Sequence, residues 1–216
     1  MDSMKTKLPL DKSNRVEVEF LAPSPVIKSL VDLDSLVSSL HAPALVIEPS
    51  FLPNLNMIRY QRNSQYRVIG CVDNQFSTFG GNKIYEIQKM IEADGFDIGL
   101  TNNKSAIELR NEIKAIDTFL KSSGRQFFVR WVIDASKGPE HIKNCISAIR
   151  DSKTLYEAIA IKADKMDAST AHEIVKQCRK DLGLNKAKFK IISKLSDDLI
   201  TRDINISYQI SANELK

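Results

Sequence analysis

The sequence predicts an α/β protein built as a short (β/α)8 barrel with a truncated last unit. Three observations carry this. Eight strand-like segments alternate with helical ones at a spacing of roughly 25 residues, the signature of β-α units. No G-x-G-x-x-G follows the first strand and no phosphate-binding P-loop occurs, which counts against an open nucleotide-binding sheet. Leu155 to Lys165 reads as a strand with Ala158, Ala160 and Lys162 on one face, and Ile159 and Ile161 on the other. Small residues toward a crowded interior and branched ones toward covering helices suit a barrel strand, and α/β folds place their chemistry at strand C-terminal ends.

The elements follow in order. Residues 1–14 read as a flexible lead-in, and 15–216 as a single barrel domain. Arg15 to Leu21 alternates as a first strand, ended by Ala22-Pro23-Ser24-Pro25. Leu30, Leu33, Leu36, Val37 and Leu40 give a helical spacing over Val26 to Leu40. Ala44 to Glu48 is a buried second strand closed by Pro49, and Leu52 to Tyr60 a helix with Pro53 in its first turn. Tyr66 to Val72 is the third strand, followed by a loop with Gly80-Gly81 and a helix over Lys83 to Ala93. Gly95 to Leu100 is the fourth strand, Ser105 to Leu120 a longer helix ended by Ser122-Ser123-Gly124. Gln126 to Ile133 is the fifth strand, Pro139 to Arg150 its helix. Thr170 with Glu173 predicts a capping-box start for a helix over Ala171 to Leu182. Phe189 to Lys194 and Ile204 to Ile210 are the seventh and eighth strands, and no room for a full helix remains after residue 211. Repeated β-α units predict parallel strands, with the sixth and seventh as neighbours.

Composition sets the class. The 216 residues, 43% hydrophobic and 27% charged, suit a soluble globular chain with a real core. A net charge of +4 with dispersed basic residues gives no nucleic-acid footprint, though it fits a basic mouth for an anionic substrate. Cys71, Cys145 and Cys178 are far apart and odd in number, which favours a reducing, cytoplasmic setting over disulfides. There is no secretory signal pattern and no apolar run approaching the ~18 residues of a membrane span, so no membrane partner is expected.

Lys162 and Lys190 are the residues with chemistry. Two ammonium groups sharing a site favour the neutral form of one, and a neutral lysine attacks carbonyls to form a Schiff base. The alternative is that either lysine lies along the strand end with its charge in water. Lys194 shares the parity of Lys190 and could replace it. Asp97 is a candidate for acid–base work, against the alternative of a structural aspartate. Glu17, Glu19 and Glu48 could present carboxylates to a barrel interior, and Asp134, Lys137 and Asp164 belong to loops at the same mouth. His41, His141 and His172 lack partners at ligand spacing, which argues against a metal, and no cofactor is expected. No G-x-S-x-G or Cys/His pattern points to an acyl-enzyme.

With these residues placed, the chain resembles the deoxyribose-phosphate aldolase family of class I aldolases from about Glu19 to Ser211. Phe20-Leu21-Ala22-Pro23 is similar to the family's first-strand ending, and Leu45 to Phe51 to its second strand. Arg67 to Gly81, Lys83 and Ala93-Asp94-Gly95 follow its third strand, loop and helix exit. Ile161-Lys162 falls on the Schiff-base lysine, and Phe189-Lys190 on the second lysine. Asp97 matches the family's carboxylate after a small gap, and Val46 stands where a cysteine is often found.

The resemblance implies a (β/α)8 barrel and reversible aldol cleavage or condensation, through a covalent imine, of a small phosphorylated sugar or aldehyde. It implies Lys162 as nucleophile, Lys190 as its electrostatic tuner and Asp97 as proton relay. Glu48 and Lys194 are the substrate-binding candidates, and homo-oligomerisation is left open. The family's glycine-rich phosphate turns have no counterpart, since the turns here read Ala163-Asp164-Lys165-Met166, Ser193-Lys194-Leu195-Ser196 and Ile210-Ser211-Ala212-Asn213. That difference motivates the alternative of a non-catalytic barrel acting as a binding or assembly protein. A weaker third option is another phosphosugar enzyme, such as an isomerase, on the same barrel.

Overall fold

A computed structural model describes residues 16–22, 44–47, 67–72, 82–163, 168–183, 189–196 and 205–215. The expected lead-in, the helices over 26–40 and 52–60, the loop over 73–81 and the position of Glu48 lie outside these residues. The described strands are β1 (Val16–Ala22), β2 (Ala44–Ile47), β3 (Arg67–Val72), β4 (Gly95–Gly99), β5 (Phe128–Asp134), β6 (Ala158–Lys162), β7 (Phe189–Ser196) and β8 (Asn205–Ser211). The described helices are α1 (Lys83–Lys89), α2 (Ala106–Ser122), α3 (Pro139–Ser152) and α4 (Ala168–Asp181).

The strands close into a barrel in the order β1-β2-β3-β4-β5-β6-β8-β7. From β1 to β6 neighbours pair in parallel, and β7 returns parallel to β1. The α/β barrel is thus as the sequence predicts, and its last unit departs. β8 runs antiparallel between β6 and β7, so these two strands are not neighbours and the sheet is not wholly parallel. The reason is chain length. Residues 197–204 separate the two strands, and a parallel crossover needs roughly a dozen residues or more. A hairpin is what so short a connection can make.

Two alternating faces fill two different spaces. Phe96 and Ile98 on β4, Trp131 and Ile133 on β5, Ile159 and Ile161 on β6, and Tyr208 and Ile210 on β8 join the core under the helices. The helices contribute Ile87 from α1 with Met90 at its C-terminal cap, Leu109 and Ile113 from α2, Ile142 and Ile146 from α3, and Val175 from α4. Interior positions therefore belong to the intervening residues. Ala44, Val46, Ile69 and Cys71 form a separate apolar cluster there on β2 and β3.

Local chemistry sets the ends of the elements. Ser105 caps α2 in a reciprocal capping box with Glu108, and Pro139 opens α3. α1 stops at Lys89, earlier than the predicted Ala93, because the chain turns so that Asp94 can staple β3. Its backbone N–H donates to the Val68 carbonyl and its carboxylate accepts from the Val68 N–H, both at 2.8 Å. Thr170 lies inside the first turn of α4, which begins by Ala168, so it is not the predicted N-cap. At the N-terminal end of the barrel Arg67 pairs with Glu157 at 2.8 Å and stacks 3.8 Å over the Phe128 ring. Among the described residues no helix is long and apolar enough to cross a membrane.

Gly95 is fixed by packing, since a Cβ there would lie 2.2 Å from the Phe128 carbonyl oxygen, a backbone atom of the neighbouring strand. Gly95→Ala is expected to lower stability by about 3 kcal/mol through overpacking, read from the urea midpoint. Gly138→Ala, at φ 85° but with open space around it, is expected to cost only about 1 kcal/mol. Equal losses at the two positions would count against the close approach of β4 and β5.

Candidate active site

The barrel interior has an apolar wall on β2 and β3 and a polar wall on β4, β5, β6 and β8. The polar wall begins with Asp97 and Arg130, which face each other across the β4–β5 pairing. Arg130 Nε donates to Asp97 Oδ1 at 2.5 Å and Nη2 to Oδ2 at 2.9 Å, a bidentate fork between side chains only 1% and 6% exposed for the two residues. Arg130 is the site residue the sequence reading missed. In the sequence it is an arginine between apolar Val129 and Trp131, and only the β4–β5 register shows that it faces Asp97.

Lys162 sits at the C-terminal end of β6, half-buried, on the same alternation as buried Ala158 and Ala160. Its register partners are Asp134 on β5 and Ser207 on β8. Asp134 caps the following turn, its carboxylate accepting from the Ser136 N–H at 2.9 Å. Lys190 pairs in register with Gln209, and Lys194 with Asn205. Ile192 is the β7 residue level with Ser207, so the two β7 lysines bracket the level of Lys162, two strands away. At ~4.8 Å per strand the backbones are roughly 10 Å apart. The expected direct adjacency of the Lys162 and Lys190 strands is therefore corrected by the intervening β8. The side chains of Glu17, Glu19, Lys190 and Lys194, and Glu48 and Asp164 altogether, lie outside the described residues.

The reversal of β8 also moves its final turn. Ser211 pairs with Ala158, and the Ala212 N–H donates to the Glu157 carbonyl at 2.9 Å. The turn after β8 therefore lies at the N-terminal end of β6, about 13 Å along the strand from Lys162. It is at the wrong end of the barrel to take part in binding at Lys162.

A second cluster braces the mouth beyond β4. Lys83 Nζ donates to Thr101 Oγ1 at 2.8 Å and to Glu112 Oε1, while Lys104 Nζ reaches Glu112 Oε2 at 2.9 Å. Burial would raise the Glu112 carboxyl's pKa, but the Lys83 charge and the bonds from Lys83, Lys104 and Thr101 outweigh it and hold it below the ordinary range. This ties α1 to α2 over the β4 loop. On α3, Cys145 Sγ lies 3.5 Å from His141 Nε2. Burial, aided by Glu112 and opposed by Lys83, pushes the thiol up to about 12, and burial lowers the His141 pKa, with Asp134 opposing and Lys137 assisting. A protonated thiol beside a neutral imidazole is no activated nucleophile. Among the described residues no cluster of His, Cys, Asp or Glu is placed to hold a metal.

No protein-family model matches the chain, and no curated protein matches it. Solved structures do. A tetrameric deoxyribose phosphate aldolase from Aeropyrum pernix aligns with a TM-score of 0.52 at 14% identity, over 67% of this chain and 61% of that one. A Coccidioides immitis protein proposed to be a deoxyribose-phosphate aldolase aligns at 0.49 and 11% identity, over 65% and 56%. The chain thus spans 56% to 61% of the length of these two proteins. At 14% identity the Aeropyrum pernix likeness shows a shared barrel fold and no more.

Two measurements test these clusters. Arg130→Met and Asp97→Ala are each expected to cost about 3–5 kcal/mol, because each strands the other's buried charge, while the double variant costs much less than their sum. Additive losses in urea denaturation would mean the fork is not a coupled unit. Glu112→Gln is expected to cost about 2 kcal/mol at neutral pH. The Glu112 pKa is lowered on folding, so its stabilisation is present above the unfolded carboxyl pKa of 4.5 and is lost as pH falls through the lower folded value. The wild-type and variant curves should therefore converge in acid, and a constant gap down to low pH would contradict the ion-pair account.

Proposed function

We propose that this barrel is a Schiff-base aldolase-type lyase acting on a small carbonyl compound through Lys162. One observation carries the reading: a half-buried lysine ends β6 on the interior alternation of a closed α/β barrel, at the end where such folds place their chemistry. Lys162 Nζ adds to a carbonyl carbon, and loss of water from the carbinolamine gives an imine. The imine draws electrons from the adjacent carbon, so that carbon loses a proton to give an enamine. The enamine attacks a second aldehyde, and hydrolysis returns the free amine.

The other residues take the following roles in this proposal. Both Asp97 oxygens accept from Arg130, so in this reading Asp97 anchors Arg130 in the interior rather than carrying protons alone. Lys190 acts on Lys162 from two strands away, with Lys194 on the other side of the same level. An unphosphorylated aldehyde fits best as substrate, because the turn after β8 is absent from the Lys162 end. The second reading, a barrel that binds without turnover, is favoured by one specific observation, the insertion of β8 between the two lysine-bearing strands.

Acetaldehyde with sodium borohydride separates the two. The expected result is an N-ethyl adduct on the peptide bearing Lys162 in the wild type, and trapping at background level in Lys162→Ala. Absence of an adduct, or the same adduct yield in the alanine variant, leaves the binding-protein reading.

A further inference from the structure

We infer that Gln209 is an oxygen-binding donor in the barrel interior, its side-chain N–H holding the carbonyl oxygen that Lys162 displaces. The inference rests on the Schiff-base reading for Lys162 and adds a residue that neither the family resemblance nor the chain's motifs assign.

Gln209 lies at the middle of β8, the strand that runs against the barrel's direction. Its neighbours Tyr208 and Ile210 pack outward in the helix-covered core, so alternation turns Gln209 inward. It is 7% exposed, yet its Nε2 has no hydrogen-bond partner among the described residues. A buried amide donor without a partner is costly, and proteins retain few of them. Its cross-strand neighbour on β6 is Ala160, which offers a methyl group and no acceptor.

The position relative to Lys162 gives the donor a use. Lys162 pairs with Ser207, which makes Gln209 its diagonal neighbour on the adjacent strand. Diagonal pairs on one face lie about 7–8 Å apart at the backbone, within reach of long side chains. A carbonyl group attacked by Lys162 therefore has room between the two. In the addition the amine lone pair forms the C–N bond and the C=O π pair moves onto oxygen. That oxygen takes up the proton shed by nitrogen, giving a neutral carbinolamine, and later leaves as water. Gln209 transfers no proton. It supplies a fixed hydrogen bond where negative charge develops, which is most effective in a site screened from water.

The test uses Gln209→Met, which keeps the side-chain volume and removes the amide. The melting temperature is expected to stay level or rise, because an unpaired buried donor is gone. Trapping of acetaldehyde at Lys162 is expected to slow at least about tenfold. A purely structural role predicts the reverse, a lower melting temperature and a trapping rate like the wild type's among folded molecules, and that pair of results overturns the inference. So does an unchanged rate at any stability. Should the Met variant both lose stability and trap slowly, the side-chain amide signals of Gln209 in ¹H–¹⁵N spectra of the wild type decide: a shift on adding acetaldehyde supports the donor role, and no shift ends it. The same titration on Lys162→Ala separates the two ideas. If wild type forms no adduct, the Schiff-base reading fails, while a Gln209 shift there still marks an oxygen-binding site and a silent Gln209 removes it too.

Discussion

The connection between β7 and β8 is the constraint from which the unusual features of this barrel follow. The eight residues between β7 and β8 are fewer than a parallel crossover needs, and β8 hydrogen-bonds back along β7. The barrel still needs an eighth member, because an open edge beside β6 would leave a row of unpaired backbone groups. β8 meets that need by pairing with β6 on its other side. Closure is kept, and three consequences come with it. The lysine-bearing strands are parted, the last turn moves to the opposite end, and Gln209 enters the wall between them.

Closure also explains how the interior tolerates charge. Arg130 and Asp97 are nearly sealed from water, where a single ion would be strongly disfavoured. The parallel pairing of β4 with β5 sets the two Cα atoms opposite each other, and the planar guanidinium matches the carboxylate in two bonds. The adjoining wall, Ala44, Val46, Ile69 and Cys71, is apolar, with Cys71 level with Asp97 on the next strand. Among the described side chains, the buried charges of Asp97 and Arg130 and the half-buried Lys162 therefore lie on β4, β5 and β6, beside this apolar wall.

Much of this was legible in the chain. The strands from Tyr66 onward fall within two or three residues of their expected bounds at most ends, because branched residues against polar turns are a strong local signal. The alternation that put Ala158, Ala160 and Lys162 together also holds. What the reading lacked was pairing information. Thr170 looked like a cap because its spacing to Glu173 is right, but Ala168 and Ser169 already continue the helix, and good helix context outweighs one motif. Arg130 was passed over because a lone arginine in an apolar strand shows its purpose only when its partner's register is known. The hairpin could have been foreseen: nine residues between the expected seventh and eighth strands were already too few for a parallel return.

The same short connection bears on the turns that lack glycine. Backbone N–H groups hold an anion only where a turn faces it, and glycine is needed only where the backbone must approach closely. The turn after β8 faces away from Lys162, so a glycine at Ser211 or Ala212 would gain nothing at that site. Its absence is then a consequence of strand direction rather than a separate loss. In the proposed Schiff-base reading, orientation at Lys162 would then fall to side chains on β5, β6 and β8, such as Gln209, rather than to a glycine turn after β8.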